Sequence, residues 1–361
     1  MWMKNLNRAP VSRRDFLKLA AASLSGLALR PWQTSRLLPD FPQAERLGRV
    51  CVAVAELKAR PDAESETLAK LPADTVLPWL REMVGRRPLW YRQNYVETPE
   101  GYIYAPNLQP VDVRLNEPLD ALPGEGMWTE LTVPYVDLVM ANPPARSPWL
   151  KNTPEPRLYY SQILWVDELK KDENGQVWYR VNERYGSYGD IFWIPAQALR
   201  PLTAEEMAPI RPEVEDKRVE VDVTYQTMSC YEGDTEVYFC RVSTGGKYTL
   251  EGNPSDTWST PVGPHHIWRK LVSIHMSGGT TGGGWDLPGI GWTSLFSGNG
   301  VAIHSTFWHN NYGVPTSHGC VNARPEDAKW VWRWTMPDTP KDTGDITVQG
   351  TVGTKVVVVE K

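Results

Sequence analysis

The sequence predicts a mostly β protein with several domains. Its 361 residues include 31 prolines and 28 glycines, spread among short segments rich in Val, Thr, Tyr and Trp. Proline and glycine mark turns, and short β-branched and aromatic segments between turns are typical of strands. The length exceeds that of most single domains, and 41% hydrophobic residues are enough to build more than one core.

The charge balance argues against nucleic acid as a partner. The formal net charge is -5, and the sequence has no basic run beyond its N-terminus. A protein of this composition has no general attraction for a phosphate backbone.

The first 46 residues predict an export signal and tether. Residues 12–18 (SRRDFLK) contain paired arginines and precede a small, apolar segment at residues 19–29. This pattern is typical of twin-arginine signals, and the apolar segment is short for a membrane span. We therefore expect export to the cell wall or periplasm. The sequence leaves open whether the signal is removed or stays as an N-terminal membrane tether, and an amphipathic surface helix is the alternative.

A degenerate repeat with an offset of about ninety residues follows the signal. Residues 89–92 (LWYR) and 101–110 (GYIYAPNLQP) are echoed by residues 177–180 (VWYR) and 191–201 (IFWIPAQALRP). Each copy ends with an aromatic strand, a turn containing proline and a Leu-x-Pro exit, as expected of a small barrel that closes its last strands. The repeat therefore predicts two small β-barrels.

The two repeat regions, residues 47–112 and 126–203, resemble bacterial Src-homology-3-like domains, which are often found on exported proteins that work on cell walls. Residues 57–61 (LKARP) also resemble the opening of such a domain. The resemblance implies either contact with wall glycan or a spacer that packs on the rest of the chain. Residues 204–216, rich in proline and acidic residues, predict a linker.

Neither a zinc site nor a disulfide is predicted from the cysteines. No zinc-like spacing links the four, which are Cys51, Cys230, Cys240 and Cys320. Residues 219–242 predict a hairpin in which Cys230 faces about residue 236. Cys240 then lies about 13 Å away along the strand, beyond disulfide reach. We expect Cys51, Cys230 and Cys240 to be small buried apolar groups.

Residues 317–322 (SHGCVN) carry the strongest functional signal, together with His304 at the end of the apolar run 300–303. Glycine lets the backbone turn tightly beside the thiol, a histidine can take the thiol's proton, and the flanking amides can hold an oxyanion. A free thiol is only a few per cent ionised at neutral pH, so a neighbouring imidazole or positive potential is needed to activate it. These residue types indicate an acyl-transfer enzyme with a cysteine nucleophile.

The region from residue 217 onward resembles the YkuD-type L,D-transpeptidases. The resemblance rests on pieces in a fixed order, which are Gln226, residues 231–233 (YEG), 243–245 (STG), 260–263 (TPVG), 301–304 (VAIH), 317–322 (SHGCVN) and 350–359 (GTVGTKVVVV). It implies a catalytic domain at residues 217–361, folded as a β-sandwich or barrel with a short helix after the cysteine.

The same residues predict roles in catalysis. Cys320 is the predicted nucleophile and His304 the base and later proton donor, with His309 as the fallback. The amides of Gly319 and Cys320 are the predicted oxyanion donors, and the amide of His318 is a third candidate. The side chain of His318 is expected to diverge from the sulfur, because it directly precedes the turn.

Supporting roles are predicted for the neighbouring residues. Ser317 and Asn322 are expected to orient the loop by hydrogen bonds. A helix is predicted after the cysteine, with Pro325 in its first turn and its positive end near the thiolate. No metal is expected at the other histidines (His265, His266 and His275), since they lack nearby carboxylates or a recognised spacing.

The resemblance implies a peptidoglycan L,D-transpeptidase. Cys320 would attack the carbonyl of the third residue of a tetrapeptide stem, release the terminal D-alanine and pass the stem to an acceptor amine. No metal or organic cofactor is implied. The alternatives are an L,D-carboxypeptidase or endopeptidase on wall peptides, and a non-catalytic wall-binding protein. The sequence does not fix the diamino acid, the share of hydrolysis or the oligomeric state.

Overall fold

A computed structural model describes residues 38–87, 92–153, 155–247, 253, 256–278 and 285–361. It confirms the mostly β class. The chain divides after Asp40, and residues 41–361 form one compact unit. The predicted twin-arginine signal lies outside the described residues. In the described part of the chain, no helix is both long and apolar enough to cross a membrane.

The first repeat region folds into two small sheets. Its strands are β1 (Leu47–Val50), β2 (Val54–Lys58), β3 (Thr67–Pro72), β4 (Val76–Pro78), β5 (Arg81–Val84), β6 (Asn94–Thr98), β7 (Gly101–Tyr104) and β8 (Leu108–Val111). One sheet has the order β4-β1-β8 and the other the order β3-β2-β7-β6-β5. Their shared core includes Val50, Leu57, Val96 and Ile103.

The second repeat region forms a larger sheet and a two-stranded ribbon. Its elements are β9 (Met127–Leu131), β10 (Tyr135–Asp137), β11 (Val139–Met140), α1 (Pro148–Asn152), β12 (Arg157–Tyr159), β13 (Ile163–Lys171), β14 (Val177–Asn182), β15 (Ile191–Pro195) and β16 (Leu199–Pro201). The sheet order is β11-β15-β14-β13-β9-β16, and β10 pairs with β12.

The two repeat regions end in the same way. In each, a strand is followed by one turn of 3₁₀ helix, at Ala105–Asn107 and Ala196–Ala198, and then by a short last strand. The last strand pairs with the first strand of its own region, β8 with β1 and β16 with β9. The sequence echo thus corresponds to a repeated backbone element that returns the chain to its start.

The C-terminal region contains two further sheets. Its elements are α2 (Ala204–Met207), β17 (Lys217–Asp222), β18 (Thr227–Glu232), β19 (Thr235–Arg241), β20 (Gly263–His266), β21 (Arg269–Gly278), β22 (Trp285–Leu295), β23 (Ala302–Ser305), β24 (Val321–Ala323), α3 (Pro325–Trp334), β25 (Asp345–Thr347) and β26 (Lys355–Val359). The sheets have the orders β19-β18-β17-β26-β20 and β24-β23-β22-β21-β25.

One core joins these two sheets and helix α3. It includes Val219 of β17, Val356 of β26, Ile303 of β23, Val321 of β24 and Val331 of α3. Valines and isoleucines that alternate along strands present one apolar face per sheet, and two such faces pack together as a sandwich. This arrangement confirms the predicted β-sandwich with a helix after Cys320.

Two of the predicted boundaries need correction. The predicted linker at 204–216 contains α2, whose cap Thr203 and whose Glu206 exchange side-chain and backbone hydrogen bonds. Met207 is buried in the C-terminal core, so this segment is packed rather than free. The predicted tether at residues 1–46 also extends too far, because Phe41 is buried and meets the ring of Tyr135 edge-on at 5.3 Å.

The hairpin register of the cysteines also differs from the prediction. Cys230 faces Tyr238 rather than residue 236, because the ladder shifts at a bulge after Cys230. Cys240 pairs with Met228 instead. Both cysteines are free and buried, as predicted, and burial raises the pKa of both thiols far above the ordinary range.

Arg49 ties the first repeat region to the C-terminal region. Its guanidinium donates to Gln109 Oε1 at 2.7 Å, pairs with Asp74 at 2.7 Å and donates to the carbonyl of Phe307 at 2.8 Å. The ring of Tyr159 lies 4.2 Å from the same guanidinium, so the second repeat region joins the contact. The segment after β23 is therefore held from all three regions.

Candidate active site

Two neighbouring parallel strands carry the predicted nucleophile and base. Strands β23 and β24 pair with His304 opposite Asn322, and Cys320 directly precedes β24. Ile303 and Val321 point into the sandwich core, so His304 and Cys320 lie on the other face of the sheet. Ordinary strand spacing then gives about 8 Å between the Cα atoms of His304 and Cys320.

The imidazole of His304 is held in one tautomer. Its Nδ1 lies 2.9 Å from the carbonyl oxygen of Ser305. A carbonyl can only accept, so Nδ1 carries the proton and Nε2 keeps its lone pair. Burial lowers the pKa of His304 to about 4, against a smaller opposing effect of the Ser305 carbonyl. At neutral pH the ring is therefore a neutral base.

The thiol of Cys320 is also neutral at rest. It packs beside the apolar cluster of Leu271, Leu295 and Ala302, and its Sγ lies 4.0 Å from the carbonyl of Gly300. Burial raises the pKa of Cys320 to about 11, although a backbone hydrogen bond from Ala302 works the other way. These pKa shifts favour a neutral pair at rest over the ionised sulfur expected from the sequence, because desolvation opposes both charges of an ion pair.

The turn before Cys320 needs a glycine. Gly319 has a φ of +116°, a conformation that residues with a Cβ rarely adopt. Ser317 Oγ accepts from the Gly319 amide at 3.1 Å and donates to the Cys320 carbonyl at 2.5 Å. The loop-orienting interaction predicted for Ser317 is present in this geometry.

The same contact changes the predicted oxyanion donors. The Gly319 amide is occupied by Ser317 Oγ, so it is not free to hold an oxyanion. Within the described residues, the amides of His318 and Cys320 make no hydrogen bond. The available pair is therefore His318 with Cys320, and Gly319 contributes the turn rather than a donor.

Buried side chains from the motif pieces build the floor of this loop. Gln226 donates to Thr244 Oγ1 at 2.7 Å and accepts from the Thr244 amide at 2.8 Å. The carbonyl of Thr244 accepts from the Ser317 amide at 3.0 Å. Thr260 Oγ1 accepts from the Gly245 amide at 2.9 Å and donates to the Gly319 carbonyl at 2.8 Å. The separated sequence pieces thus converge on one loop.

His309, the fallback base, is bound elsewhere. Its Nδ1 accepts from the Asn311 amide at 3.1 Å, and its Nε2 lies 2.8 Å from the side-chain amide of Asn322. Both ring nitrogens are occupied, and burial, with smaller effects of His304 and Arg92, lowers the pKa of His309 to about 3. Asn322 therefore positions His309, while its backbone pairs with Ser243.

His318 lies at the surface beside two indole rings. Its imidazole stacks on Trp285 at 4.6 Å and meets Trp258 edge-on at 4.7 Å. The side chain is exposed, and burial of its inner part lowers its pKa. These aromatic residues flank the catalytic loop, and the sequence motifs gave no signal for either tryptophan.

The start of helix α3 lies farther from the thiol than the sequence predicts. The helix begins at Pro325, and strand β24 separates it from Cys320. Four extended residues span about 13 Å, whereas the field of a helix end fades within about one turn. The positive end of α3 therefore does not activate Cys320.

The prediction that His275 lacks nearby carboxylates is wrong. Its Nδ1 lies 2.7 Å from Glu183 Oε2, and its Nε2 contacts Asp286. Burial disfavours the charged ring, but the two carboxylates outweigh it and raise the pKa of His275 to about 9. Glu183 lies in the second repeat region, ninety-two positions from His275, so no local pattern could reveal the contact. Across the described ranges, no group of three or more His, Cys, Asp or Glu residues forms a metal site.

The C-terminal region matches a known family. Residues 216–358 match the family model of YkuD, described as the L,D-transpeptidase catalytic domain. The parallel β23–β24 pair and the turn at Gly319 lie within the matched residues. Residues 216–358 are therefore a YkuD-type domain. No curated protein matches the chain.

Solved structures similar to the chain include L,D-transpeptidases. One is the crystal structure of the Enterococcus faecium L,D-transpeptidase C442S mutant, at 24% identity and a TM-score of 0.30, covering 41% of this chain and 51% of that one. Another is the L,D-transpeptidase from Mycobacterium smegmatis, at 16% identity and a TM-score of 0.31, covering 53% and 98%. The match thus spans about half of the E. faecium chain. Because the identities and TM-scores are low, the assignment of the domain rests on the family match.

Proposed function

We propose that this protein is an exported peptidoglycan L,D-transpeptidase with Cys320 as its nucleophile. The observation that carries the proposal is the placement of His304 and Cys320 on one face of two adjacent parallel strands. The hydrogen bond from His304 Nδ1 to Ser305 leaves Nε2 as the acceptor of a proton. A base so placed beside a thiol is the minimum equipment for acyl transfer.

In the first step the thiol attacks the third residue of a tetrapeptide stem. Nε2 of His304 takes the proton as the Sγ–C bond forms, so that charge appears only in the reacting complex. The amides of His318 and Cys320 hold the resulting oxyanion. His304 then returns the proton to the nitrogen of the leaving D-alanine, and a thioester remains on Cys320.

In the second step an amine of another stem attacks the thioester. His304 accepts a proton from that amine, a new amide bond forms, and the proton returns to the sulfur as it leaves. A low pKa suits His304 for this role, since the ring is neutral and able to accept over the whole neutral range. If water replaces the amine, the same steps yield a carboxypeptidase.

The N-terminal regions support placement outside the cytoplasm in this proposal. Export by the twin-arginine route follows from residues 12–18, and the repeat regions would contact wall glycan or position the catalytic domain. The contacts of Arg49 favour positioning, because they hold the segment that follows His304.

The proposal is tested with purified tetrapeptide stems and intact-mass detection of the thioester. Cys320→Ala is expected to abolish the adduct while leaving the free energy of unfolding nearly unchanged. Cys51→Ala is the matched control, because Cys51 is also half-buried and burial likewise raises its pKa to about 11. The control should form the adduct at the normal rate.

The products separate the remaining functions. Cross-linked stems indicate a transpeptidase, loss of D-alanine without cross-links indicates a carboxypeptidase, and internal cleavage indicates an endopeptidase. Retention of stems without turnover indicates a binding protein. An undiminished adduct in the Cys320→Ala protein would overturn the assignment of the nucleophile.

A further inference from the structure

A cavity lies at the carboxyl ends of strands β23 and β24. Its volume is about 260 Å³, and residues of all three regions line it, among them Gln109, Tyr160, Thr306 and Arg324. Thr306 directly follows β23 and Arg324 directly follows β24, whereas Cys320 precedes β24. Because the strands are parallel, the cavity and the thiol lie at opposite ends of the pair.

Arg324 brings a positive charge to this cavity. Burial raises the pKa of the nearby Glu326 and Asp327 carboxyl groups, and this charge partly offsets the rise. Among the described residues its guanidinium has no hydrogen-bond or ion-pair partner, and its contact is with the ring of Tyr312, whose centroid lies 5.2 Å away. The side chain is half-buried. A guanidinium presents a planar fork of donors that fits a carboxylate, and this fork is free.

Thr306 adds a buried hydroxyl without a partner. The residue is 1% exposed, it lines the cavity, and its Oγ1 makes no hydrogen bond within the described part of the chain. Leaving a buried polar group unpaired costs about 1–3 kcal/mol, and a hydrogen bond from this hydroxyl to a bound molecule would remove that cost. Thr306 and Arg324 both line the cavity.

The start of helix α3 favours the same kind of ligand. Pro325 and Glu326 line the cavity, and Arg324 at the N-cap gives the helix no side-chain cap. Pro325 has no N–H and the Ala328 amide donates to the Arg324 carbonyl, so the partial positive charge of the helix start comes from the amides of Glu326 and Asp327.

The other charges around the cavity are largely paired. Lys329 binds Glu206 at 2.6 Å, and Glu130 pairs with Arg200. Glu326 stands exposed at the mouth, where it can meet a positive group of a ligand. The cavity thus offers a cation inside and an anion at its entrance.

We propose that this cavity is a second ligand site, which binds a small molecule by its free carboxylate. Arg324 and Thr306 donate to the carboxylate oxygens, and Glu326 faces the entrance. The volume equals about nine water molecules, which suits an amino acid or the C-terminal residue of a peptide. This proposal is independent of the acyl-transfer chemistry, because neither residue touches Cys320.

The site is tested by calorimetric titration of the full chain carrying Cys320→Ala, which silences acyl transfer. The probes are D-alanine, N-acetyl-D-alanine and N-acetyl-D-alaninamide. Both acids are expected to bind, and the amide, which lacks the carboxylate, at least about tenfold more weakly. Tighter binding of D-alanine identifies a free amino acid as the ligand, and tighter binding of the acetylated acid identifies a peptide terminus.

Variants of the cavity residues assign the binding to this site. Arg324→Gln should weaken acid binding by at least about tenfold, and Thr306→Val by several-fold. The valine variant should remain at least as stable as the parent, since it removes an unpaired hydroxyl. Arg333→Gln is the matched control, because Arg333 lies on the same helix and donates to Ala208 outside the cavity. Equal binding of acid and amide, or full acid binding by both cavity variants, would overturn the proposal.

Discussion

Two buried histidines of the same sheet have opposite properties. His275 on β21 and His304 on β23 are 4% and 2% exposed. The pKa of His275 rises to about 9, whereas that of His304 falls to about 4. Burial alone disfavours the charged ring in both, so the difference comes from the partners.

The partners are chemically distinct. His304 donates one hydrogen bond to a neutral carbonyl, which fixes the tautomer without stabilising a charge strongly. His275 lies between the carboxylates of Glu183 and Asp286, which offset the free-energy cost of desolvating an imidazolium. The first arrangement gives a neutral base with a free Nε2. The second gives a ring that is charged at neutral pH and that joins the second repeat region to β21 and β22.

The imidazolium of His275 is also linked, through Asp286 and Trp285, to the loop at residues 317–322. Asp286 follows Trp285, whose ring stacks on His318, and its other oxygen accepts from the Trp149 amide at 2.6 Å. Gly289 donates to the second oxygen of Glu183 at 2.9 Å. The contact therefore fixes the strand that flanks the predicted oxyanion donors.

Replacing His304, the neutral histidine, should have the largest effect, which is a slower rate of acylation. His304→Gln is expected to slow acylation of Cys320 by about 10²–10⁴-fold, because the variant loses the imidazole Nε2 that takes the thiol's proton. Rapid-mixing intact mass measures the rate. His309→Gln is the control, since both nitrogens of His309 are occupied, and its rate should stay within a few-fold. A slow His309→Gln protein beside a normal His304→Gln protein would reverse the assignment.

Replacing His275, the charged histidine, should mainly reduce the free energy of unfolding. His275→Ala leaves two buried carboxylates without their cation, which is expected to cost about 3–5 kcal/mol of the free energy of unfolding. Urea unfolding checks this value. His266→Ala serves as control, because the partner of His266 Nδ1 is a neutral group, the carbonyl of Gly353 at 3.0 Å. Similar losses in the two variants would show that His275 is an ordinary packed residue.

The two histidines should also give stability opposite slopes with pH. The folded pKa of His275 lies above its ordinary value of 6.5, so its contribution is full below that pH and is lost as pH rises through about 9. The folded pKa of His304 lies below 6.5, so stability falls as pH drops from that value towards 4. Each histidine changes the free energy of unfolding by up to about 3 kcal/mol across its pH range. The unfolding midpoint should depend less on pH on the alkaline side in the His275→Gln protein. It should depend less on pH on the acid side in the His304→Gln protein.

The smallest expected signal concerns the charge on the sulfur. If His304 and Cys320 are both neutral at rest, the ultraviolet absorbance of a thiolate should be absent at neutral pH and appear only as pH approaches 11. The titration uses the Cys51→Ala protein, since the thiol of Cys51 has a similar pKa and the buried Cys230 and Cys240 ionise still later. Thiolate absorbance near neutrality that vanishes in Cys320→Ala would indicate a preformed ion pair.

Local patterns identified much of the fold and the loop. Turn residues and alternation predict the strands, and the repeat predicts the shared ending before β8 and β16. The helix after Cys320 is predicted by Pro325 and the acidic residues that follow it. Register was less predictable, because one bulge after Cys230 shifts the whole ladder.

Predictions that depended on spatial neighbours were less successful. Gly319 was expected to donate to an oxyanion, but Ser317 Oγ takes its amide. The segment at 204–216 was expected to be a linker, but Met207 finds a place in a core formed by residues far along the chain. The sequence shows which groups are present, and only packing shows which of them are already engaged.

By itself, the sequence determined the β class, the glycine turn at 319 and the short set of candidate groups around Cys320, because each depends on residues close together in the chain. The tertiary structure alone decided the protonation states of His304 and His275, the carboxylate partners of the latter and the cavity at Arg324. Those properties depend on burial and on charges supplied by distant segments. Desolvation and Coulomb attraction act through space, so they become defined only when the regions are packed together.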